Sequence, residues 1–469
     1  QPTNSDVRDI IHDITKTNRV KKNKYKLKLS SERTDRNKRY DKMTTFIDEN
    51  KHNNVETLET LFTDYILRTR NKRIKSFNNS KTLKKQRLKK DKNIRYLYNV
   101  QPKKTIELIL DDTEVDGTLP LEELEAYATS KAGDSPKTDW SKSPKIKTGP
   151  KFKFRHLSPE EVSAILKNTN SSSPGISNVT YSDIDFCDPG CQFLTVLFNK
   201  IIDAGIIPTR WRKFLTVMIP KPGKTGAYDK VHSWRPIALL ECIAKLFTSC
   251  LCNQLESWLI DNDLTSSFQK GTGPSDGCAE HNNILRILLE EFENVHVAFL
   301  DLTDAFGSMP IEHILGVLQQ KGLDDLSCSL IRNLYSGCSS IYTCNDCTTG
   351  FTPINRGVRQ GCPLSMLLFC IGIDPILSHI QENESFGILT EVGRIACLAY
   401  ADDIALIAPN RQILQEMVNT ASSLVSWCSM QFNASKCGYL SVPLEAETIF
   451  IDGTAIPIVD DDEGYRYLG

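Results

Sequence analysis

The stretch Leu398-Ala399-Tyr400-Ala401-Asp402-Asp403-Ile404-Ala405-Leu406 decides the reading of this 469-residue chain. Apolar arms on either side, Ile395 to Tyr400 and Ile404 to Ala408, predict a β-hairpin that carries two adjacent carboxylates in its turn. Two ionised carboxylates side by side repel unless a cation lies between them, so a buried or half-buried Asp pair calls for a metal. The competing reading is a plain hairpin turn, where Asp-Gly or Asn-Gly is the commoner pair. Upstream, the apolar run Val297-Ala298-Phe299-Leu300 ends on a second carboxylate cluster, Asp301-Leu302-Thr303-Asp304-Ala305-Phe306. If that strand pairs with the hairpin, Asp301 faces Asp402. Mg²⁺ takes oxygen ligands and is held by one or two carboxylates plus substrate phosphates. Two such ions lower the barrier to in-line displacement at phosphorus, so the pattern points to nucleotidyl transfer.

Around these residues the chain alternates between the two periods of secondary structure. Between Val295 and Leu440 it predicts a strand over Val295 to Leu302, a helix near Ile311 to Gln320 and β-prone segments around Ile341 and Phe351. A helix after Pro363 and a further one from Arg411 to Met430 complete the set. Strands and helices in this order fit an α+β layer with helices on one face of an antiparallel sheet. Farther upstream, Ser158, Pro159 and Glu161 form a capping-box signature before Val162, Ile165 and Leu166, so a helix begins there. The segment from Ser130 to Pro150 is rich in Ser, Pro, Lys and Gly and reads as a linker. The expected partition is a basic, mostly helical extension over 1–129, a linker over 130–150, and two further units, 151–294 and 295–469.

The net charge of −1 hides an asymmetry. Residues 1–100 hold 27 Lys+Arg against 12 Asp+Glu, which leaves 30 against 46 for the remainder. Basic runs at Lys21 to Lys28 and Lys84 to Lys90 suit an arm that binds phosphates through counterion release, or a solvated tail. All fifteen cysteines lie from Cys187 onward, their number is odd and no disulfide spacing is evident, so buried thiols in a reducing compartment are expected. Cys344 and Cys347 form a Cys-x-x-Cys pair without a second pair at zinc spacing. The sequence reads as free of an apolar run near ~18 residues and of a cleavable signal, which predicts no membrane span and intracellular work. The start at Gln1 and the stop just after Tyr467-Leu468 suggest a piece of a longer protein.

Three segments, Ala298 to Met309, Asn355 to Ser365 and Tyr400 to Asp403, resemble successive motifs of reverse transcriptases in the family's order. Phe214 to Lys224 and Ser233-Trp234-Arg235-Pro236-Ile237-Ala238-Leu239-Leu240 resemble the fingers segment of LINE-type enzymes. Ser173 to Ser177 resembles the preceding segment, with Ser177 where many relatives have Asp. The resemblance spans about Leu157 to Gly469. The long fingers segment and the Arg-Gln-Gly-Cys-Pro-Leu-Ser run favour the non-LTR retrotransposon group over retroviral enzymes, and the sequence resembles elements that insert at specific target sites. It implies a right-hand fold, with fingers over 151–294 and a ferredoxin-like palm over 295–469 that ends at the primer grip, without the thumb. It also implies RNA-directed DNA synthesis on an RNA template from a DNA primer end, with deoxynucleoside triphosphates and two Mg²⁺, or Mn²⁺ in their place.

Carried onto this sequence, the resemblance makes Asp301, Asp402 and Asp403 the catalytic and metal-binding carboxylates, with the Leu302 carbonyl as a further ligand. Lys221 and Arg235 would hold the triphosphate, where Arg offers a planar fork and Lys a point charge. Asp304, Ala305 and Phe306 would border the sugar; Phe306 would act as a gate against a ribose 2′-hydroxyl, or pack as ordinary core. Gln360 would lie near the new base pair, and Lys436, close to Asn433, would assist pyrophosphate departure. Arg359, Gly361 and Tyr400 would contact template or primer, and Tyr467, Leu468 and Gly469 would open the primer grip. Lys213 and Lys224 are candidates for template phosphates. The resemblance further implies work in the nucleus after cytoplasmic assembly on the element's RNA. The alternative is a polymerase-fold protein that binds RNA without efficient synthesis, as a maturase does. Oligomeric state has no signature in the sequence.

Overall fold

The computed structural model describes residues 35–79, 119–169, 172–221, 228–273, 276–344, 347–391, 393–459 and 467–468. The basic runs at Lys21 to Lys28 and Lys84 to Lys90, together with Lys224 and Gly469, lie outside these residues.

In the first half, helices α1 (35–50) and α2 (Val55–Asn79) are followed by α3 (Leu121–Ser130), α4 (Pro159–Asn168), α5 (Tyr181–Cys187), α6 (Gln192–Ala204) and α7 (Cys242–Asp261). The predicted start of α4 is a capping box: the Ser158 side chain accepts from Glu161 N–H, and Glu161 accepts from Ser158 N–H. Two N–H groups that the first helical turn leaves without partners are thereby satisfied. The described part of the N-terminal extension is no detached arm. Phe62 of α2 stacks on Phe193 of α6 with ring centroids 4.4 Å apart, and Phe46 of α1 lies 5.4 Å from the same ring. Met43, Leu58, Phe62 and Ile66 share one continuous core with α5 and α6.

The second half contains α8 (Gly277–Glu291), α9 (Ala305–Ser308), α10 (Ile311–Lys321), α11 (Asp325–Tyr335), α12 (Pro363–Glu382) and α13 (Arg411–Trp427). In chain order the main strands are β1 (Lys213–Pro220), β2 (Trp234–Leu239), β3 (Val295–Leu300), β4 (Cys338–Cys344), β5 (Cys347–Thr348), β6 (Thr352–Ile354), β7 (Ile388–Thr390), β8 (Gly393–Ile395), β9 (Cys397–Tyr400), β10 (Asp403–Ala408) and β11 (Gly438–Val442). One sheet runs β2-β1-β4-β5 with β6 also on β4, and the other runs β11-β3-β10-β9.

The second sheet is antiparallel, and its inner strand β3 is buried at all six positions. The physical reason corrects the one-faced layer expected from the sequence. Ala298, Leu300, Ile404 and Leu406 join the core that holds α12 and α13, whereas Val297, Phe299, Ala405 and Ile407 pack with Leu285 and Leu288 of α8. With helices on both faces, β3 reads as a continuous apolar run instead of an alternating one. The helix α12 also corrects the sequence reading, since its 20 residues are long and apolar enough to cross a membrane. Most of it is buried within the protein, between α7, α10, α13 and β9.

The stretch read as a linker has little regular structure, yet it is strapped to the second half. Trp140 stacks on His313 at 5.6 Å and meets Trp427 edge-on at 5.5 Å, while Trp427 Nε1 donates to Asp139 O at 2.9 Å. A Cβ on Gly316 would lie 1.9 Å from the Trp140 ring, so α10 offers a glycine where the indole sits. Aromatic area and a satisfied indole N–H hold a segment whose composition gave no periodicity.

At the end of α10, Lys321 is 1% exposed and its ammonium donates to Asp374 Oδ2 of α12 at 2.6 Å and to Leu264 O. Asp374 Oδ1 accepts from Ser266 N–H at 2.6 Å, so this buried pair also fixes the loop after α7. Removing one partner leaves an uncompensated buried charge. Lys321→Met is expected to lower stability by about 3–5 kcal/mol, measured as a lower urea midpoint at unchanged denaturant slope.

Candidate active site

The turn between β9 and β10 contains only Ala401 and Asp402, with Tyr400 and Asp403 as the last paired residues. Ala401 has φ +53°, in the left-handed region that non-glycine residues seldom adopt. On the other side of β10, Ile404 pairs with Leu300, so Asp403 and Asp301 leave neighbouring strand ends together. A one-residue slip would turn these carboxylates to the opposite face, and the buried cores on both faces fix the register.

The electrostatics of this end are unfavourable without a cation. Burial pushes the Asp402 carboxyl up to about 6; Asp403 and Asp301 add repulsion, and Arg235 acts in the opposite direction. Asp403 is raised too, by burial and by Asp301. Asp301 Oδ2 is buried with no hydrogen-bond partner, and Lys436 Nζ lies 3.7 Å away, beyond hydrogen-bond reach. A buried carboxylate oxygen without a hydrogen-bond donor, beside two carboxyls raised by burial and by mutual repulsion, fits a divalent cation. Among the described residues no group of three His, Cys, Asp or Glu side chains forms a ready-made cage. Mg²⁺ does not need one, since it keeps waters and recruits substrate phosphates beside one or two carboxylates.

A cleft between the two sheets' segments is lined by Lys131, Asp304, Phe306, Arg359 and Gln360, among others. Half-buried Phe306 stacks on Phe369 with centroids 4.7 Å apart, and its carbonyl accepts from Val358 N–H at 2.7 Å. Packing thus holds the ring while it also borders the cleft. Gln360 O accepts from Ala238 N–H at 2.7 Å, whereas its Oε1 is buried without a partner. Gly361 has φ +112°, and a Cβ there would lie 2.5 Å from Ala238 O, so this turn demands glycine. Arg359, expected to contact template or primer, is anchored by groups of the protein itself. Its guanidinium turns inward, donating to Leu334 O and lying 4.5 Å from the Tyr335 ring centroid and 5.5 Å from that of Phe214. Cation–π attraction and a backbone acceptor hold it as a support for the turn.

The remaining candidates are distributed around this centre. Arg235, exposed on β2, pairs in register with Ile219, and Lys221 Nζ donates to His232 O at 2.9 Å. Leu302 is buried and bridges Phe432, Ala305 is buried at the start of α9, and Tyr400 is half-buried. Asn433 N–H donates to Asp301 O at 2.8 Å, which ties the Lys436 segment to the end of β3. Tyr467 packs on Phe299 at 5.2 Å, with Leu468 next to it at φ +57°. Sequence reading missed Lys131, which pairs with Asp304 from the strap, and Gln269, which contacts the Ala401 turn. Neither is part of a periodic or charged pattern that could have drawn attention to it.

The two sheets and the carboxylate end correspond to the fingers and palm of a polymerase. A family profile described as reverse transcriptase (RNA-dependent DNA polymerase) matches residues 219–469, and the chain belongs to that family. Its similarity is to proteins of non-LTR retrotransposons. It is 26% identical over 67% of its length to the Retrovirus-related Pol polyprotein from type-1 retrotransposable element R2 of Popillia japonica, covering 45% of that protein. The corresponding type-2 R2DM polyprotein of Drosophila melanogaster is 27% identical over 64% of this chain and 28% of its own length. The RNA-directed DNA polymerase from mobile element jockey of the same fly is 27% identical over 60% and 31%, respectively. The chain therefore spans less than half the length of these relatives.

The raised Asp402 carboxyl generates a test that needs no turnover. Its folded value of about 6 exceeds the ordinary 3.8, so the metal-free fold binds more protons than the unfolded chain between these values. This group's contribution to stability therefore falls as pH rises from 3.8 through about 6. Asp402→Asn is expected to stabilise the metal-free protein at neutral pH by up to roughly 3 kcal/mol, and to shrink any rise in melting temperature that an added divalent cation produces in the wild type. Thermal melts with and without Mg²⁺ at neutral pH and at pH ~5 check both signs.

Proposed function

We propose that this chain is the RNA-directed DNA polymerase part of a non-LTR retrotransposon protein, copying element RNA into DNA from a primer end in the target DNA. The single observation that carries this reading is the convergence of Asp301 with Asp402 and Asp403 where β3 and β10 end. Asp301 and Asp402 would hold Mg²⁺, or Mn²⁺ in its place, assisted by Asp403 and the Leu302 carbonyl. When bound, two such ions activate the primer's 3′-hydroxyl and stabilise the leaving pyrophosphate.

The protein's own groups do the positioning. Arg235 and Lys221 bind the triphosphate, with Arg235 already within electrostatic reach of Asp402. Phe306, held against Phe369, excludes a 2′-hydroxyl from the cleft, and Gln360 lies near the new base pair and the incoming sugar. Lys436 delivers a proton to the leaving pyrophosphate from beside Asp301. Residues 151–294 form the fingers together with β4, β5 and β6, which join the β1–β2 sheet, and the rest of 295–469 forms the palm. The partners are an RNA template, a DNA primer and deoxynucleoside triphosphates, and the basic front adds affinity for the RNA. Assembly on that RNA in the cytoplasm precedes work in the nucleus.

Primer extension on an RNA template with Mg²⁺ tests the reading. Deoxynucleotides should be incorporated, and Asp402→Asn should reduce the rate by at least ~10³-fold. A preference for ribonucleotides would overturn the assignment. Phe306→Val is expected to narrow discrimination against ribonucleotides by roughly tenfold or more, seen as a change in the ratio of kcat/KM values.

A further inference from the structure

The loop between α7 and α8 adds a short edge to the palm. Ala399 N–H donates to Phe268 O at 2.9 Å and Lys270 N–H donates to Ala399 O at 2.8 Å, so Gln269 runs parallel to β9 beside Ala399. Gln269 is 7% exposed, and its side chain reaches the turn that carries the carboxylates. Ala401 N–H donates to Gln269 Oε1 at 2.8 Å, and Gln269 Nε2 donates to Ala401 O at 3.2 Å. The same Oε1 accepts from Gly271 N–H at 2.8 Å. Gly271 passes so near that a Cβ would lie 2.6 Å from Ala401 N.

This contact falls on a strained residue. Ala401, at φ +53°, immediately precedes Asp402, and such a conformation persists only where its surroundings over-determine it. The loop is itself secured on both sides of Gln269. Ser266 N–H donates to Asp374 Oδ1 at 2.6 Å, Lys321 donates to Leu264 O, and Lys270 Nζ lies 3.0 Å from Glu280. A primary amide satisfies a backbone donor and acceptor together and brings no charge to a site crowded with carboxylates. Met at this position fills similar volume with neither hydrogen bond, and Glu keeps the acceptor but loses the donor.

We propose that Gln269 is a positioning residue for the catalytic turn: its amide clamps both backbone groups of Ala401 and thereby aims Asp402 and Asp403 at Asp301. The proposal rests on the polymerase reading for its kinetic consequence, but its structural consequence stands apart from activity. A misplacement of about 1 Å at such a site can reduce a rate ~10²-fold.

The test compares full-length wild type with Gln269→Met and Gln269→Glu. Residue-resolved amide exchange is measured on the metal-free proteins, and single-nucleotide incorporation gives kcat and KM separately. In Gln269→Met the Ala401 amide should exchange roughly tenfold faster or more, with the palm core still protected. Its kcat should fall ~10–10²-fold while KM for the nucleotide changes less than about threefold. Gln269→Glu should retain part of the protection at Ala401, because the acceptor remains, but should not recover kcat, because it sets a carboxylate against Ala401 O beside Asp402. Unchanged Ala401 exchange in folded Gln269→Met would overturn the clamp. So would loss of protection across the whole palm in both variants, which would make Gln269 a support of the fold. A wild type that incorporates no nucleotide would remove the polymerase reading, and the exchange data would still decide the clamp.

Discussion

Repulsion among three carboxylates is the constraint around which this structure is arranged. Asp301, Asp402 and Asp403 are brought together at one end of a sheet, where burial and mutual charge raise the Asp402 and Asp403 carboxyls above their ordinary values. Nothing local favours that arrangement. It is enforced by the antiparallel pairing of β3 with β10, whose register is fixed by apolar side chains on both faces. The free energy of the palm core thus opposes the repulsion.

The rest of the molecule makes that enforcement rigid. The Lys321–Asp374 pair joins α10 to α12 and holds the loop that begins at Leu264. That loop delivers Gln269 to the turn, while Asn433 secures the end of β3 from the opposite direction. Arg359, half-buried against aromatic rings, supports the turn that presents Gln360. Segments ahead of the palm contribute to the same end. The strap around Trp140 braces α10 and α13, and Lys131 reaches Asp304 beside the cleft. The N-terminal helices are continuous with the fingers core, so a chain with a basic front and an acidic body folds its described parts around shared apolar surfaces.

The sequence by itself determined much of the local order. The apolar arms around Asp402-Asp403, the capping box at Ser158, the proline at the start of α12 and the run into Asp301 are short-range patterns, and the structure contains each of those elements. Such signals survive in a sequence because hydrogen bonding, capping and periodic burial act between residues a few positions apart. Only the tertiary structure decided the rest. That α8 covers the second face of the palm, that residues 131–150 strap the palm, and that Arg359 turns inward are outcomes of packing between segments far apart in the chain. Gln269 and Ala401 lie 132 positions apart, and their contact depends on a backbone amide and carbonyl whose identity no side-chain code records. Side-chain patterns announce which groups a fold will bury, but the geometry that aims those groups is set by long-range packing.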